Sequence, residues 1–274
     1  MKDSTATAPR GIARVSSPSR SSVPAAAPPG KNVYTIAMRE LRAYFDSLVA
    51  YVVLGGSLLG IGVHFFLFQQ GGFWQVDRAT MTRMFESLPI ALAILVIPLV
   101  TMRALAEEKR SGTIELLITL PVTDAQVILG KYFAALAMVV ILLFSTLIYP
   151  FAMFVWPWHL GALDWGPVWS GYFGLFLFSS AGIAVGLLFS SITESQIIAF
   201  FLTAFVLALM TVLSAIAQFM PGALGDIVNF FSLASRYEPF AHGLIDTRAV
   251  VYFISIAILC LLVAFRSLES RKWS

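Results

Sequence analysis

Long charge-free stretches alternate with short polar ones along this chain, and the alternation predicts its architecture. A helix needs about 20 apolar residues, at about 1.5 Å each, to cross a hydrocarbon core of about 30 Å. Six stretches qualify: 48–68, 87–106, 125–156, 166–191, 194–220 and 249–265. The second holds only 16 charge-free residues, with Pro89 and Pro98 among them. It reaches a full span by recruiting Ala104 to Ala106 while Arg103 snorkels to the interface. Upstream, Val33, Ile36, Ala37, Leu41, Tyr44 and Phe45 recur at helical spacing, with Lys31, Arg39, Glu40 and Arg42 between them. This pattern predicts an amphipathic helix over 31–46 lying in the headgroup region and feeding the first span. Before it, 17 of the first 30 residues are Ala, Ser or Pro and no apolar h-region occurs. Residues 1–30 therefore read as a disordered cytoplasmic tail. Residues 31–274 read as one all-α polytopic membrane domain with six transmembrane helices.

Composition sharpens the class. The chain is 58% apolar and 12% charged, with mean hydropathy +0.84, against about 45–50% and about 25% in soluble domains. So much apolar surface excludes a water-soluble enzyme. A single cysteine, Cys260, excludes an intrachain disulfide framework or thiolate cluster, and three scattered histidines predict no metal site.

Orientation follows Lys and Arg in the loops. With both termini inside, fourteen fall on the inner side, including Arg103, Lys109, Arg110 and Lys131, and four on the outer: Arg78, Arg83, Arg236 and Arg248. Trp74, Trp156, Trp158, Trp165 and Trp169 also fall in or beside outer loops, where an aromatic belt sits. Both termini are predicted to be cytoplasmic. Thr123-x-x-Gln126 and Thr193-x-x-Gln196 read as capping boxes opening the third and fifth spans. Gly56-x-x-x-Gly60 and Gly182-x-x-x-Gly186 are candidates for close helix packing. Between the fifth and sixth spans, 221–247 carries Ile227, Val228, Phe230, Phe231 and Leu233 beside Pro221, Gly222 and Gly225. So many apolar residues would be costly in water, so they need cover, either from one another in a hydrophobic cluster or from the outer leaflet.

The second loop carries the most information. Glu107, Glu108, Lys109 and Arg110 lead through Ser111 and Gly112 to Thr113, Ile114, Glu115, Leu116, Leu117, Ile118, Thr119 and Leu120, stopped by Pro121. Ile114, Leu117 and Ile118 share one face of a helix too short to span. That apolar stripe needs a cover, either lipid headgroups or a partner's groove.

This run, with Thr119-x-Pro121-Val122 and then Gly130-Lys131, resembles the signature of ABC-transporter type-2 permeases. Ser235-Arg236-Tyr237-Glu238-Pro239-Phe240, Gly243-Leu244-Ile245-Asp246 and the terminal Ser267-Leu268-Glu269-Ser270-Arg271-Lys272-Trp273 resemble the gliding-motility-type branch. So does Glu40-Leu41-Arg42-Ala43-Tyr44-Phe45-Asp46-Ser47. The resemblance covers roughly 31–274. It implies that 107–122 holds a cytoplasmic coupling helix seated in a groove of a separate ABC ATPase subunit. Glu107, Glu108, Arg110, Gly112, Thr113, Ile114, Glu115, Leu117, Ile118 and Pro121 are the expected coupling residues. It further implies a second permease chain, lipid contact, an auxiliary periplasmic subunit, no nucleic acid, and a bacterial inner-membrane location.

The chain's chemistry agrees with a passive subunit. The nearest approach to a phosphate loop, Ala125-Gln126-Val127-Ile128-Leu129-Gly130-Lys131-Tyr132, lacks the first glycine and the Mg²⁺-binding hydroxyl. Lys131 reads instead as an interfacial anchor. Gly55-Gly56-Ser57-Leu58 has no histidine in a later span to serve as base. No cofactor is expected in this chain, ATP and Mg²⁺ being the partner's. The spans also lack midplane acids of the sort that ion-coupled carriers use. The competing readings are a stand-alone channel or carrier, and a membrane anchor for a motility or secretion machine.

Overall fold

The structure, a computed structural model, describes residues 29–65, 81–112, 123–154 and 163–270. They are helical with no strand among them. In chain order the helices are α1 Pro29–Phe45, α2 Leu48–Val63, α3 Thr82–Ala91, α4 Ile97–Thr101, α5 Ala106–Arg110 and α6 Asp124–Thr146. Then come α7 Ile148–Phe154, α8 Trp165–Ile192, α9 Gln196–Ala217, α10 Ala223–Phe230, α11 Leu233–Ala241 and α12 Thr247–Ser270. Among the described residues, five helical runs are long and apolar enough to cross a membrane: Met84–Arg110, Asp124–Ala152, Trp165–Ile192, Gln196–Ala217 and Thr247–Glu269. A sixth candidate is α2, joined to α1 through a bend of 71°. The protein is an all-α polytopic membrane protein.

α8 is the axis of the bundle: 72% of its most apolar window is buried, against 22% for α9 and for α12. Its glycines make this possible. A Cβ on Gly182 would stand 2.7 Å from Ile97 Cδ1, and one on Gly186 would collide with Thr101. A Cβ on Gly174 would stand 2.6 Å from Phe240 Cβ. Between membrane helices lipid is as apolar as leucine, so cohesion comes from close approach more than from escape from water. Gly56 and Gly60 differ: they are exposed on α2 with nothing within 4 Å of an added Cβ. Of the two small-residue motifs, the one on α8 packs helices against each other among the described residues, and the one on α2 does not. Large apolar side chains cover the outside, among them Phe201, Phe205, Leu259 and Leu262. A hydrocarbon surround covers such a surface where water would not.

The second span is not one continuous α-helix. Between Pro89 and Pro98 the turn widens to π geometry over Leu92–Val96, with the Ile97 N–H donating to the Leu92 carbonyl. Pro98 has no N–H for the carbonyl of Ile94, and the wider turn absorbs that missing partner. Beyond Thr101 the chain turns over 102–105 and resumes helix at α5.

The 221–247 stretch forms two short helices. α11 is packed into the bundle: Tyr237 and Phe240 are buried, and Ser170 Oγ donates to the Phe240 carbonyl at 2.8 Å. Arg236 stacks over Phe230 of α10 (4.8 Å) and Tyr252 of α12 (5.5 Å), joining the three helices by cation–π contact. One expected cap is absent. Thr193 does not open the fifth span; its hydroxyl donates to the Phe189 carbonyl and terminates α8, and α9 begins after Ser195 with no side-chain cap. The connection between the two spans is so short that Thr193 still serves the helix before it.

Candidate functional site

Polar side chains gather at the end of the bundle where α1, α5, the start of α6 and the α8–α9 turn meet. α1 lies directly on α6. A Cβ on Gly130 would stand 2.5 Å from Ile36 Cγ2 and 3.4 Å from the Val33 carbonyl oxygen, so the missing side chain sets the approach. Asn32 Nδ2 donates to Gln126 Oε1 at 3.4 Å beside it. Gln126 also completes the Thr123 capping box: its N–H donates to Thr123 Oγ1 and its side chain accepts from the Thr123 N–H.

Four charges alternate across this contact. Arg39 Nη2 lies 2.9 Å from Glu40 Oε1, and Lys131 Nζ lies 3.3 Å from the same oxygen and 2.7 Å from Glu108 Oε1. The Lys131 side chain is 3% exposed, Glu40 20% and Glu108 18%. A buried ammonium is costly unless well paired. Here two carboxylates from two different helices meet it, and Arg39 balances the remaining negative charge.

α5 is held from other sides too. The hydroxyl of Ser190, at the end of α8, accepts from the Leu105 N–H (3.0 Å) and the Ala106 N–H (3.1 Å). It thereby caps α5, whose own N-cap residue Leu105 has no side-chain acceptor. Lys109 Nζ donates to the Ser191 carbonyl, which also accepts from Ser267 Oγ of α12 at 3.4 Å. Glu107 Oε2 lies 3.6 Å from Arg103 Nε, and Arg103 Nη1 donates to Ser47 Oγ at 3.4 Å. Arg103, Glu107, Glu40, Tyr44 and Ser47 line a cavity of about 110 Å³ between the α1–α2 bend and the second span. Tyr44 closes it, donating to the Val100 carbonyl at 2.8 Å. Burial holds its phenol above the usual range, with Glu40 adding in the same direction, so it stays a neutral donor. α5 then ends at Gly112, whose φ of +69° is the left-handed turn that glycine adopts without penalty.

Of the expected coupling residues, Glu107, Glu108, Arg110 and Gly112 therefore stand at the head of the loop. Thr113, Ile114, Glu115, Leu117, Ile118 and Pro121 lie outside the described residues, as does residue 1–28 of the tail. One sequence expectation changes. Lys131 is no interfacial anchor, because α1 covers it and its ammonium turns to Glu40 and Glu108 instead of outward. Glu108 is drawn inward by Lys131, whereas Arg110 is exposed. Glu40 and Ser190 escaped the sequence reading as site residues. Glu40 stood out as one charge of an amphipathic helix and as the start of a family-like run, not as a site residue, and Ser190 carried no signal at all.

Among the described residues no group of three or more His, Cys, Asp or Glu side chains is placed to hold a metal ion. The arrangement is a brace: it fixes the start of a loop to three helices. A comparison with curated proteins finds no match. The family model described as "ABC-2 family transporter protein" matches residues 43–267.

Proposed function

We propose a function from one premise: the chain belongs to the ABC-2 transporter family and is a membrane subunit of that kind. In our reading it is the permease half of an ATP-driven exporter whose energy enters through the loop 107–122. Ile114, Leu117 and Ile118 form the face seated on a separate ATPase subunit, and Glu107, Arg110 and Glu115 supply charged contacts at its margin. ATP and Mg²⁺ bind in that partner. Two permease chains pair, and closure of two ATPases pushes both loops and tilts the spans toward an outward path. The α1 end, which holds the loop, then faces the cytoplasm, with both termini on that side of a bacterial inner membrane. The resemblance to the gliding-motility-type branch belongs to the same proposal, as do lipid contact and an auxiliary periplasmic subunit.

The observation that carries this reading is the bracing of α5. A loop that merely joined two spans would need neither the Ser190 cap nor the Lys109 and Glu108 contacts. A loop that receives force needs a fixed base. Leu117→Asp tests it: the variant inserts normally and no longer co-purifies with an ATPase subunit, and undiminished co-purification refutes the docking face. Flux through liposomes containing this chain alone, without nucleotide, would establish the stand-alone carrier instead.

A further inference from the structure

We propose that Lys131 is a positioning residue: an ionic latch that locks α1 and α5 together onto α6, so that force arriving on the loop after α5 moves the amphipathic helix and the third span as one body. The inference rests on the function proposed above for its source of force, but the latch itself is a statement about this chain alone.

Three observations converge on it. First, Lys131 is nearly sealed from solvent, and both its partners come from elements far from it in sequence, Glu40 on α1 and Glu108 on α5. A lysine serving as an interfacial anchor would extend its ammonium to water or headgroups. This one is spent on joining two other helices.

Second, the contact beneath the ion pairs is shaped to hold α1 in register. Gly130 precedes Lys131, and Ile36 fills the space that a Cβ would occupy there. Ile36 and Glu40 are one helical turn apart, so the steric notch and the charge are engaged by the same face of α1. With Asn32–Gln126 a further turn away, α1 is gripped at three successive levels.

Third, among the described residues the other ties of α5 lead mainly elsewhere. Ser190 and Lys109 fasten α5 to α8, and Arg103–Glu107 is internal to the second span. Among the ion pairs described, Glu108–Lys131 connects α5 to α6, and through Glu40 to α1. Cutting it leaves α5 capped and in place and removes the charged tie between the loop and α1, with Tyr44–Val100 and Arg103–Ser47 remaining between the α1–α2 region and the second span. Loss of the latch thus predicts uncoupling without loss of docking.

The test uses the full chain with Cys260→Ser, spin-labelled through Tyr34→Cys on the exposed side of α1 and Arg110→Cys at the exposed end of α5. In the absence of nucleotide the distance between the labels is narrowly distributed when Lys131 is present and broadens in Lys131→Met. Lys131→Arg, which keeps the charge, restores the narrow distribution. In parallel, unlabelled chain is purified with its ATPase subunit. Lys131→Met retains the ATPase at the wild-type ratio while permease-stimulated turnover falls about tenfold, a coupling loss within the usual range between linked sites. Lys131→Arg keeps most of the stimulation, which a purely structural defect at this position would not allow.

Should Lys131→Met fail to fold, Glu108→Gln and Glu40→Gln each cut one arm and leave Lys131 a carboxylate. Each broadens the distance, and each lowers stimulation. An unbroadened distance together with wild-type stimulation in these variants overturns the latch. If the wild-type chain recruits no ATPase, the function proposed above fails and the distance measurement alone decides the latch.

Discussion

Substituting alanine at Gly130 measures how α1 is mounted, because two opposing effects of known size meet there. Within a helix, glycine to alanine is favourable by about 1 kcal/mol, since glycine surrenders more backbone freedom on folding. Against that, the new Cβ stands 2.5 Å from Ile36 Cγ2 and 2.8 Å from Ile36 Cβ, where carbon atoms rest at about 3.5–4.0 Å. Relief requires α1 to lift by about 1 Å or Ile36 to leave its rotamer, and overpacking of this kind costs about 1–3 kcal/mol. Ile36 is gripped by the same helix pair that carries the Glu40–Lys131 ion pair, so it cannot yield for free. The clash offsets or outweighs the propensity gain, and Gly130→Ala is destabilised by up to roughly 2 kcal/mol. In a chain of this size each kcal/mol lowers Tm by about 2–4 °C, read by fluorescence-detected size exclusion after heating in mild detergent. Gly60→Ala on α2 is the control: with nothing within 4 Å of the added atom it keeps or raises Tm. Adding Ile36→Ala to Gly130→Ala recovers part of the loss, so the double variant is more stable than the two single effects sum to. Equal Tm for Gly130→Ala and Gly60→Ala would refute the close mounting of α1.

Two further outcomes follow from the hydrogen bonds. Ser190→Ala strands the buried Leu105 and Ala106 N–H groups, which lowers stability by about 1–3 kcal/mol and exposes the start of α5 to amide exchange. Thr123→Ala removes one half of a formed capping box and costs about 1 kcal/mol, while Thr193→Ala, at a site with no cap on the following helix, costs measurably less in the same thermal assay.

How much of this was legible in the chain itself differs by region. The spanning helices lie where charges are sparse, a one-dimensional property. A hydrocarbon core rejects unpaired charge wherever it falls, so five of the six mostly apolar stretches fall on helices long and apolar enough to span (the Met84–Arg110 run, α6 with α7, α8, α9 and α12), and the first falls on α2, which qualifies only together with α1 across their bend. The amphipathic face of α1 was equally legible, since Val33, Ile36, Leu41, Tyr44 and Phe45 repeat at helical spacing. The Thr123 box was read correctly because both of its members lie within one turn. The Thr193 box was misread by the same local logic: a Thr-x-x-Gln spacing does not reveal that α8 still needs the threonine.

Tertiary structure alone decided which glycines touch a neighbour and which charges meet. Gly182 and Gly56 open the same Gly-x-x-x-Gly motif, yet one faces Ile97 and the other faces open space. Glu40, Glu108 and Lys131 are scattered along the chain, each plausible as a solvated or interfacial charge where it stands. Hydropathy records the cost of burying one residue in isolation; it cannot record that a carboxylate from another helix will arrive to offset that cost. For that reason the membrane architecture was written in the order of the residues, whereas the buried lysine that joins three helices emerged only from their packing.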